Sequence, residues 1–285
     1  MSLVTSKKLL EEARRERYAV GAFNANNMEM VQAIVKAAQE ERAPVILQIS
    51  QGAIRYAGLY YATSLVRTAA DLVEVPVVLH LDHGTDFEQN VLCLRAGFTS
   101  LMYDGSRRPY EENVAITKRV VEMAHACGVP VEAELGRVTQ ASEGPSQEEV
   151  ESLMTDPDQA WEFIACTGAD SLAVAVGSVH GMKEQEAFLD IERLEAIRQK
   201  VGVPLVLHGA SGVKDESILE AIAHGISKIN VATHLNQAFM RGMRESLRER
   251  PEELDPRRIL GVCREEVKEA VREKMRLFGS SGRIG

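Results

Sequence analysis

The sequence predicts an α/β chain folded as a (β/α)8 TIM barrel with additional C-terminal helices. Three observations carry that prediction. Eight short, apolar, β-rich runs recur along the 285 residues, amphipathic segments separate them, and polar residues gather at their C-terminal ends. Strands buried on both faces read as near-continuous apolar runs, and intervening helices mark a parallel sheet covered by helices. A doubly wound open sheet is the structural alternative.

The runs follow in order. YAVGAFN (18–24) ends in Asn24 and PVILQIS (44–50) in Ser50. PVVLHLD (76–82) leads into Asp82 and His83, TSLMYDG (99–105) contains Asp104, and PVEAELG (130–136) contains Glu134. SLAVAVG (171–177) precedes His180, PLVLHGA (204–210) contains His208, and SKINVAT (227–233) carries Asn230, Ala232 and Thr233. Between them, MEMVQAIVKAAQEE (28–41) and YEENVAITKRVVEMAHACG (110–128) space their apolar residues by three and four, as helices do. After the last run, LNQAFMRGMRESLRER and EEVKEAVREKMRLFG predict two further helices, a packing or subunit-contact extension of one domain spanning 1–285. The opening stretch MSLVTSKKLLEEARRERY is charged throughout and reads as a capped amphipathic helix, not a signal peptide or membrane anchor.

Composition narrows the function classes. A net charge of -9 argues against nucleic acid or an anionic membrane as partner. No apolar run approaches the roughly 20 residues of a spanning helix. Cys93, Cys127, Cys166 and Cys263 lack CxxC spacing, which suits a reducing compartment, and a cytoplasmic location is expected.

An isolated polar residue at a strand end is ordinarily a helix cap. In a barrel, however, all such ends converge on one face. His83, His180 and His208, three of the seven histidines, stand just beyond strand ends and are each followed by glycine. Three neutral imidazoles that leave a fourth position open are a typical catalytic zinc set. His80 precedes His83 by roughly 10 Å of extended strand and is a poor co-ligand. Alternation puts it on the side of Asp82, in the barrel interior, as an orienting hydrogen-bond partner. His125 and His224 fall in predicted helices without chemical company. Asp104 and Glu134 suit either outer acceptors for histidine N–H groups, a second cation position, or caps of the following helices.

HGASG (208–212) and NVAT (230–233) follow the seventh and eighth runs, where this barrel commonly binds phosphate through freed N–H groups and a helix N-terminus. A metal beside an anion pocket fits a small phosphorylated substrate. A divalent ion can polarise a carbonyl and stabilise an enediolate, the costly species in making or breaking a bond beside a ketone. A lysine Schiff base is the other route. No predicted strand ends in lysine: Lys228 lies near the start of the last run and Lys183 in the loop beyond His180.

LDHG (81–84), VEAELG (131–136), GSVHG (177–181), HGASG (208–212) and NVAT (230–233), with YAVGAFN and DPRRILG, carry a resemblance to the class II, zinc-dependent ketose-bisphosphate aldolases over almost the whole chain. The resemblance implies reversible cleavage of a ketohexose 1,6-bisphosphate, tagatose or fructose, to dihydroxyacetone phosphate and glyceraldehyde 3-phosphate. It implies Zn2+ on His83, His180 and His208, with Asp104 and Glu134 near the metal's alternate position. Asp82 would be the acid/base at the C4 hydroxyl. Gly181, Gly209, Ser211, Asn230 and Thr233 would hold the dihydroxyacetone phosphate portion, often with a monovalent cation, K+ or Na+, beside the phosphate. Arg257 would face the other phosphate, and Asn24, Ser50 and Ala232 complete the expected substrate contacts. A homodimer or homotetramer is implied.

Three departures stand out. The loop after the fifth strand reads GRVTQASEGPSQEE instead of a glycine pair followed by an acidic pair, which leaves Glu143 as the nearest candidate for the C3-proton base. Ala232 and Asn236 replace the acid and arginine frequent in fructose-specific relatives and lean toward tagatose. His234 occupies a position that is often acidic. Competing readings are an aldolase for another phosphorylated ketose, a metal-dependent hydrolase, and a non-catalytic sugar-phosphate binding barrel.

Overall fold

The computed structural model describes residues 3–285. Eight strands form one parallel sheet: β1 Val20–Asn24, β2 Val45–Ser50, β3 Val77–Asp82, β4 Leu101–Tyr103, β5 Val131–Leu135, β6 Ser171–Val174, β7 Leu205–Leu207 and β8 Ile226–Val231. Their order is β3-β2-β1-β8-β7-β6-β5-β4. Isolated bridges His80↔Ser100 and Gly84↔Tyr103 join the two ends, so the sheet curls into the expected barrel. Each predicted run contains one of these strands. The runs overshoot at their C-terminal ends, because the glycine, alanine and threonine residues there already belong to the loops.

The helix Met28–Glu41 coincides with its predicted segment, and the Asn27 side chain caps it by accepting from Met30 N–H at 2.9 Å. The helix predicted over 110–128 ends at His125, because Cys127 and Gly128 turn back and donate to Ala124 and His125 carbonyls. The final helices, Thr233–Glu249 and Pro256–Leu277, both begin earlier than their apolar spacing indicates. Pro256 accounts for the second: it suits a first helical turn, and Asp255 caps it. Glu41 ties this last helix to Met28–Glu41, accepting from Arg272 at 2.8 Å, Arg276 at 2.6 Å and Ser281 at 2.9 Å.

The opening helix spans Ser6–Glu16, and Thr5 stands at its N-cap without a side-chain hydrogen bond, so the expected cap is not made. Met1 and Ser2 of that stretch lie outside the described residues. Val4 N–H donates to the Val77 carbonyl, which places this helix at the N-terminal end of the barrel. There Leu10 and Ala13 pack with Tyr18, Val20, Ala22, Ile46 and Val78 into an apolar plug. Above the plug the interior turns polar, with Gln48, His80, Glu132 and Lys228 all buried. The chemistry-bearing end is therefore the C-terminal mouth. No helix among the described residues is long and apolar enough to cross a membrane.

Candidate active site

Loops after β3, β6 and β7 bring His83, His180 and His208 to that mouth. Their ring centroids lie 5.2 Å (83–180), 4.7 Å (83–208) and 6.0 Å (180–208) apart. His83 has φ +49°, a left-handed conformation uncommon for a residue with a side chain. Gly84 follows by necessity: a Cβ there would meet the Met102 carbonyl oxygen at 2.5 Å.

The outer nitrogens are held by carboxylates. His83 Nδ1 lies 2.8 Å from Asp104 Oδ2, and His208 Nε2 lies 2.8 Å from Glu132 Oε1. With N–H donated outward on each ring, the inner nitrogens, His83 Nε2 and His208 Nδ1, face each other at 3.1 Å with lone pairs available. One ligand atom from each histidine can be chosen so that all three lie within 4.8 Å of one another. Glu134 Oε2, buried and without a hydrogen-bond partner, lies 3.5 Å from His208 Nδ1 and 3.7 Å from His83 Nδ1. A cation among these groups answers both the facing lone pairs and the unpartnered carboxylate oxygen, so the donor set fits a divalent metal of the zinc type.

Protonation follows the same arrangement. Burial pushes His180 down to about 4 and His208 well below its usual range, which keeps both rings neutral as ligation requires. Burial also opposes charge on His83, but Asp82, the hydrogen bond to Asp104, and Glu134 overcome it and raise this group to about 10. The field that would otherwise hold a proton on His83 is one that favours a cation in its place. Burial first and the Asp104 charge second raise Glu134 to about 8. Asp104 is also buried, yet the hydrogen bond from His83 holds it below the ordinary carboxylate range.

Asp82 is fixed from both sides. Asn24 Nδ2 donates to its Oδ2 at 2.8 Å and Asn230 Nδ2 to its Oδ1 at 3.2 Å. Gln48 Nε2 in turn donates to Asn24 Oδ1 at 2.6 Å, and Lys228 Nζ to Asn230 Oδ1 at 2.8 Å. Lys228 Nζ also lies 2.8 Å from Glu132 Oε2. One buried chain thus runs from Gln48 through Asp82 and Lys228 to Glu132 and His208. Gln48, Glu132 and Lys228 were absent from the predicted site. Their signal is a polar residue in mid-strand on the inward-facing alternation. His80 bonds Ser100 Oγ at 2.8 Å in this interior layer, as an orienting residue would.

A cavity of about 420 Å3 opens above this floor, lined by Asn24, Asp82, His83, Asp104, Glu134 and His180, with Gly181, Gly209, Ser211, Asn230, Ala232 and Thr233. Gly209 has φ +68°, and a Cβ there would press to 3.0 Å against the Val179 backbone, so the loop after β7 lies tight on the loop after β6. Thr233 begins a helix beside it. His234 N–H donates to Ser211 Oγ at 3.3 Å, which links the two phosphate-type loops.

Three expected residues sit elsewhere. Ser50 does not line the cavity; its Oγ accepts from Ala53 N–H at 3.2 Å and caps the helix Gln51–Ala57. Arg257 is 88% exposed at the start of the last helix, paired with Asp255, and does not line the cavity. Glu143 is likewise outside the lining, because Arg107 and Arg137 hold its two oxygens. The hydrogen bond from Arg107 first, and the Arg107 charge with it, lower its pKa, which weakens it as a base.

The profile of the family described as "Fructose-bisphosphate aldolase class-II" matches residues 4–283. The chain belongs to this family. It is 47% identical over 304 residues to the "Fructose-bisphosphate aldolase" of Thermus caldophilus and 49% identical over 288 residues to that of Geobacillus stearothermophilus, covering 99% of each chain in both cases. The crystal structure of the YdjI aldolase from Escherichia coli K12 superposes with a TM-score of 0.88 at 37% identity, covering 99% of this chain and 100% of that one. The family makes this chain a carbon–carbon lyase of the class II aldolase type, and the phosphate-type loops sit where such a lyase needs them.

Proposed function

We propose that this chain cleaves, and in reverse forms, the C3–C4 bond of a ketohexose 1,6-bisphosphate, giving dihydroxyacetone phosphate and glyceraldehyde 3-phosphate. The single observation that carries this reading is the convergence of His83, His180 and His208, each neutral or neutralisable, over a carboxylate-backed floor. Those three residues would hold Zn2+. The ion supplies a Lewis acid that polarises a ketose carbonyl and offsets negative charge as the bond breaks.

The chain's own groups do the rest. Asp82, clamped by Asn24 and Asn230, accepts the proton of the C4 hydroxyl in cleavage and returns it in condensation. Gly181, Gly209, Ser211 and Thr233 hold the phosphate of the ketone half through backbone N–H groups, hydroxyls and a helix N-terminus. A monovalent cation, K+ or Na+, beside that phosphate and assembly as a homodimer or homotetramer belong to the same reading.

Fructose 1,6-bisphosphate is the substrate named in the curated relatives. Ala232 at the cavity wall favours tagatose 1,6-bisphosphate as a second substrate, since an acidic side chain is missing there. Steady-state cleavage of both sugars by the zinc-loaded protein tests the reading. Triose phosphates should form, and borohydride should trap no covalent adduct with substrate. A trapped adduct, or full turnover after exhaustive chelation, would overturn it.

A further inference from the structure

The cavity rim on the side of β4 and β5 carries two guanidinium groups. Arg107 Nη2 donates to Glu143 Oε1 at 3.1 Å and Arg137 Nη2 to Glu143 Oε2 at 3.2 Å, one oxygen to each arginine. Both arginines line the same cavity as the histidines, while the carboxylate they share does not. Arg137 Nε is buried there with no hydrogen-bond partner. Two cations against one carboxylate leave a positive excess above a floor of acids, in a chain of net charge -9. Guanidinium pairs of this kind recognise planar or tetrahedral oxyanions through paired N–H donors.

The pair stands in a telling place. Strand order puts the loops after β4 and β5 across the mouth from the phosphate-type loops after β7 and β8. A substrate whose phosphate rests on Ser211 and Thr233, with its reacting carbons over the histidines, points its far end at the arginines. Arg257, which the family resemblance offers for that end, does not line this cavity. Glu143 is 42% exposed and Arg107 60%, so their ion pair is weak and open to exchange.

We propose that Arg107 and Arg137 form a subsite for a terminal oxyanion, phosphate or carboxylate, on the aldehyde half of the substrate, and that Glu143 occupies it when that half is absent. This rests on the aldolase reading. Three acceptor aldehydes test it in condensation with dihydroxyacetone phosphate: glyceraldehyde 3-phosphate, neutral glyceraldehyde, and a hydroxyaldehyde of similar length ending in a carboxylate. The wild type should favour at least one charged aldehyde over the neutral one in kcat/KM. In the double variant Arg107→Gln/Arg137→Gln that preference should fall at least about tenfold, the scale of one charge-assisted hydrogen bond, mainly through KM. Whichever charged aldehyde loses most identifies the oxyanion. An unchanged preference in a folded double variant, checked by its thermal melt, overturns the subsite while leaving the aldolase reading intact. Absence of condensation with all three aldehydes in the wild type defeats the aldolase reading instead. In that event calorimetric titration with glyceraldehyde 3-phosphate decides the subsite: equal affinity in wild type and double variant rejects it, and a tenfold or larger loss, again about one charge-assisted bond, supports it.

Discussion

The floor of the cavity and its rim are built on opposite physical terms. On the floor, His208, Glu132, Lys228 and Asp82 are buried, and each is bound to a neighbour that is itself bound. On the rim, Arg107 and Glu143 are largely solvated and held by contacts that water can replace. A buried polar network has few alternatives, because each unpaired group carries the full desolvation penalty. A solvated ion pair has many. The floor therefore fixes what chemistry the barrel can perform, and the rim sets which molecules it is performed on.

The largest effect should separate the two regions outright. His208→Ala should lower kcat/KM by at least about 1000-fold, the scale of several kcal/mol of lost charge stabilisation, and zinc added back should not restore it. Retention of more than a tenth of the activity would break the division. Asp82→Asn, measured by steady-state cleavage, should reduce kcat by about 100- to 10,000-fold with little change in KM, as expected of a group needed at the proton transfer. Glu132→Gln should weaken zinc affinity by about 10- to 100-fold in competition against a chromophoric chelator, since its contact orients a ligating ring. Lys228→Met, which leaves Glu132 buried and unpaired, should also destabilise the fold by about 3–5 kcal/mol in denaturant unfolding.

On the rim, Glu143→Gln should leave kcat within about threefold of wild type. A loss of 100-fold or more, the usual scale of general-base removal, would return the C3-proton role to this residue. The smallest effect lies far from the cavity, at the Glu41 clamp. Burial opposes its charge, but the hydrogen bonds from Arg276, Arg272 and Ser281 hold its pKa at about 2, below an ordinary value of 4.5. Its contribution to stability is therefore complete above pH 4.5 and is lost as pH falls toward 2. Glu41→Gln should lower Tm by a few degrees at pH 7 and flatten the acid limb of the Tm–pH profile, with activity at neutral pH unaffected.

The floor was legible in sequence wherever polar residues sit at strand ends, because β-rich runs locate the ends and a barrel gathers them. His83, His180, His208, Asp82, Asp104 and Glu134 all met in this way. Mid-strand residues were harder: Glu132, Gln48 and Lys228 lie inside otherwise apolar runs, and only the two-residue alternation shows that they face inward. Ser50 illustrates the reverse error. A strand-end serine can satisfy a backbone donor of the next helix as readily as a ligand, and tertiary geometry chose the helix. The rim was least legible, since the direction of a long side chain on a loop depends on partners remote in sequence. Glu143 turned to Arg107, which precedes it by 36 residues.

One connection joins the two regions. His180 N–H donates to the Thr139 carbonyl at 2.8 Å, and Ala141 N–H donates to the His180 carbonyl at 2.8 Å. The segment that departs most from the usual family pattern is thereby stitched to the main chain of a metal-binding residue. Grafting a relative's version of that segment would not be a modular exchange of specificity: lengthening it by a residue would shift the register of the stitch, and the imidazole at position 180 would move with it.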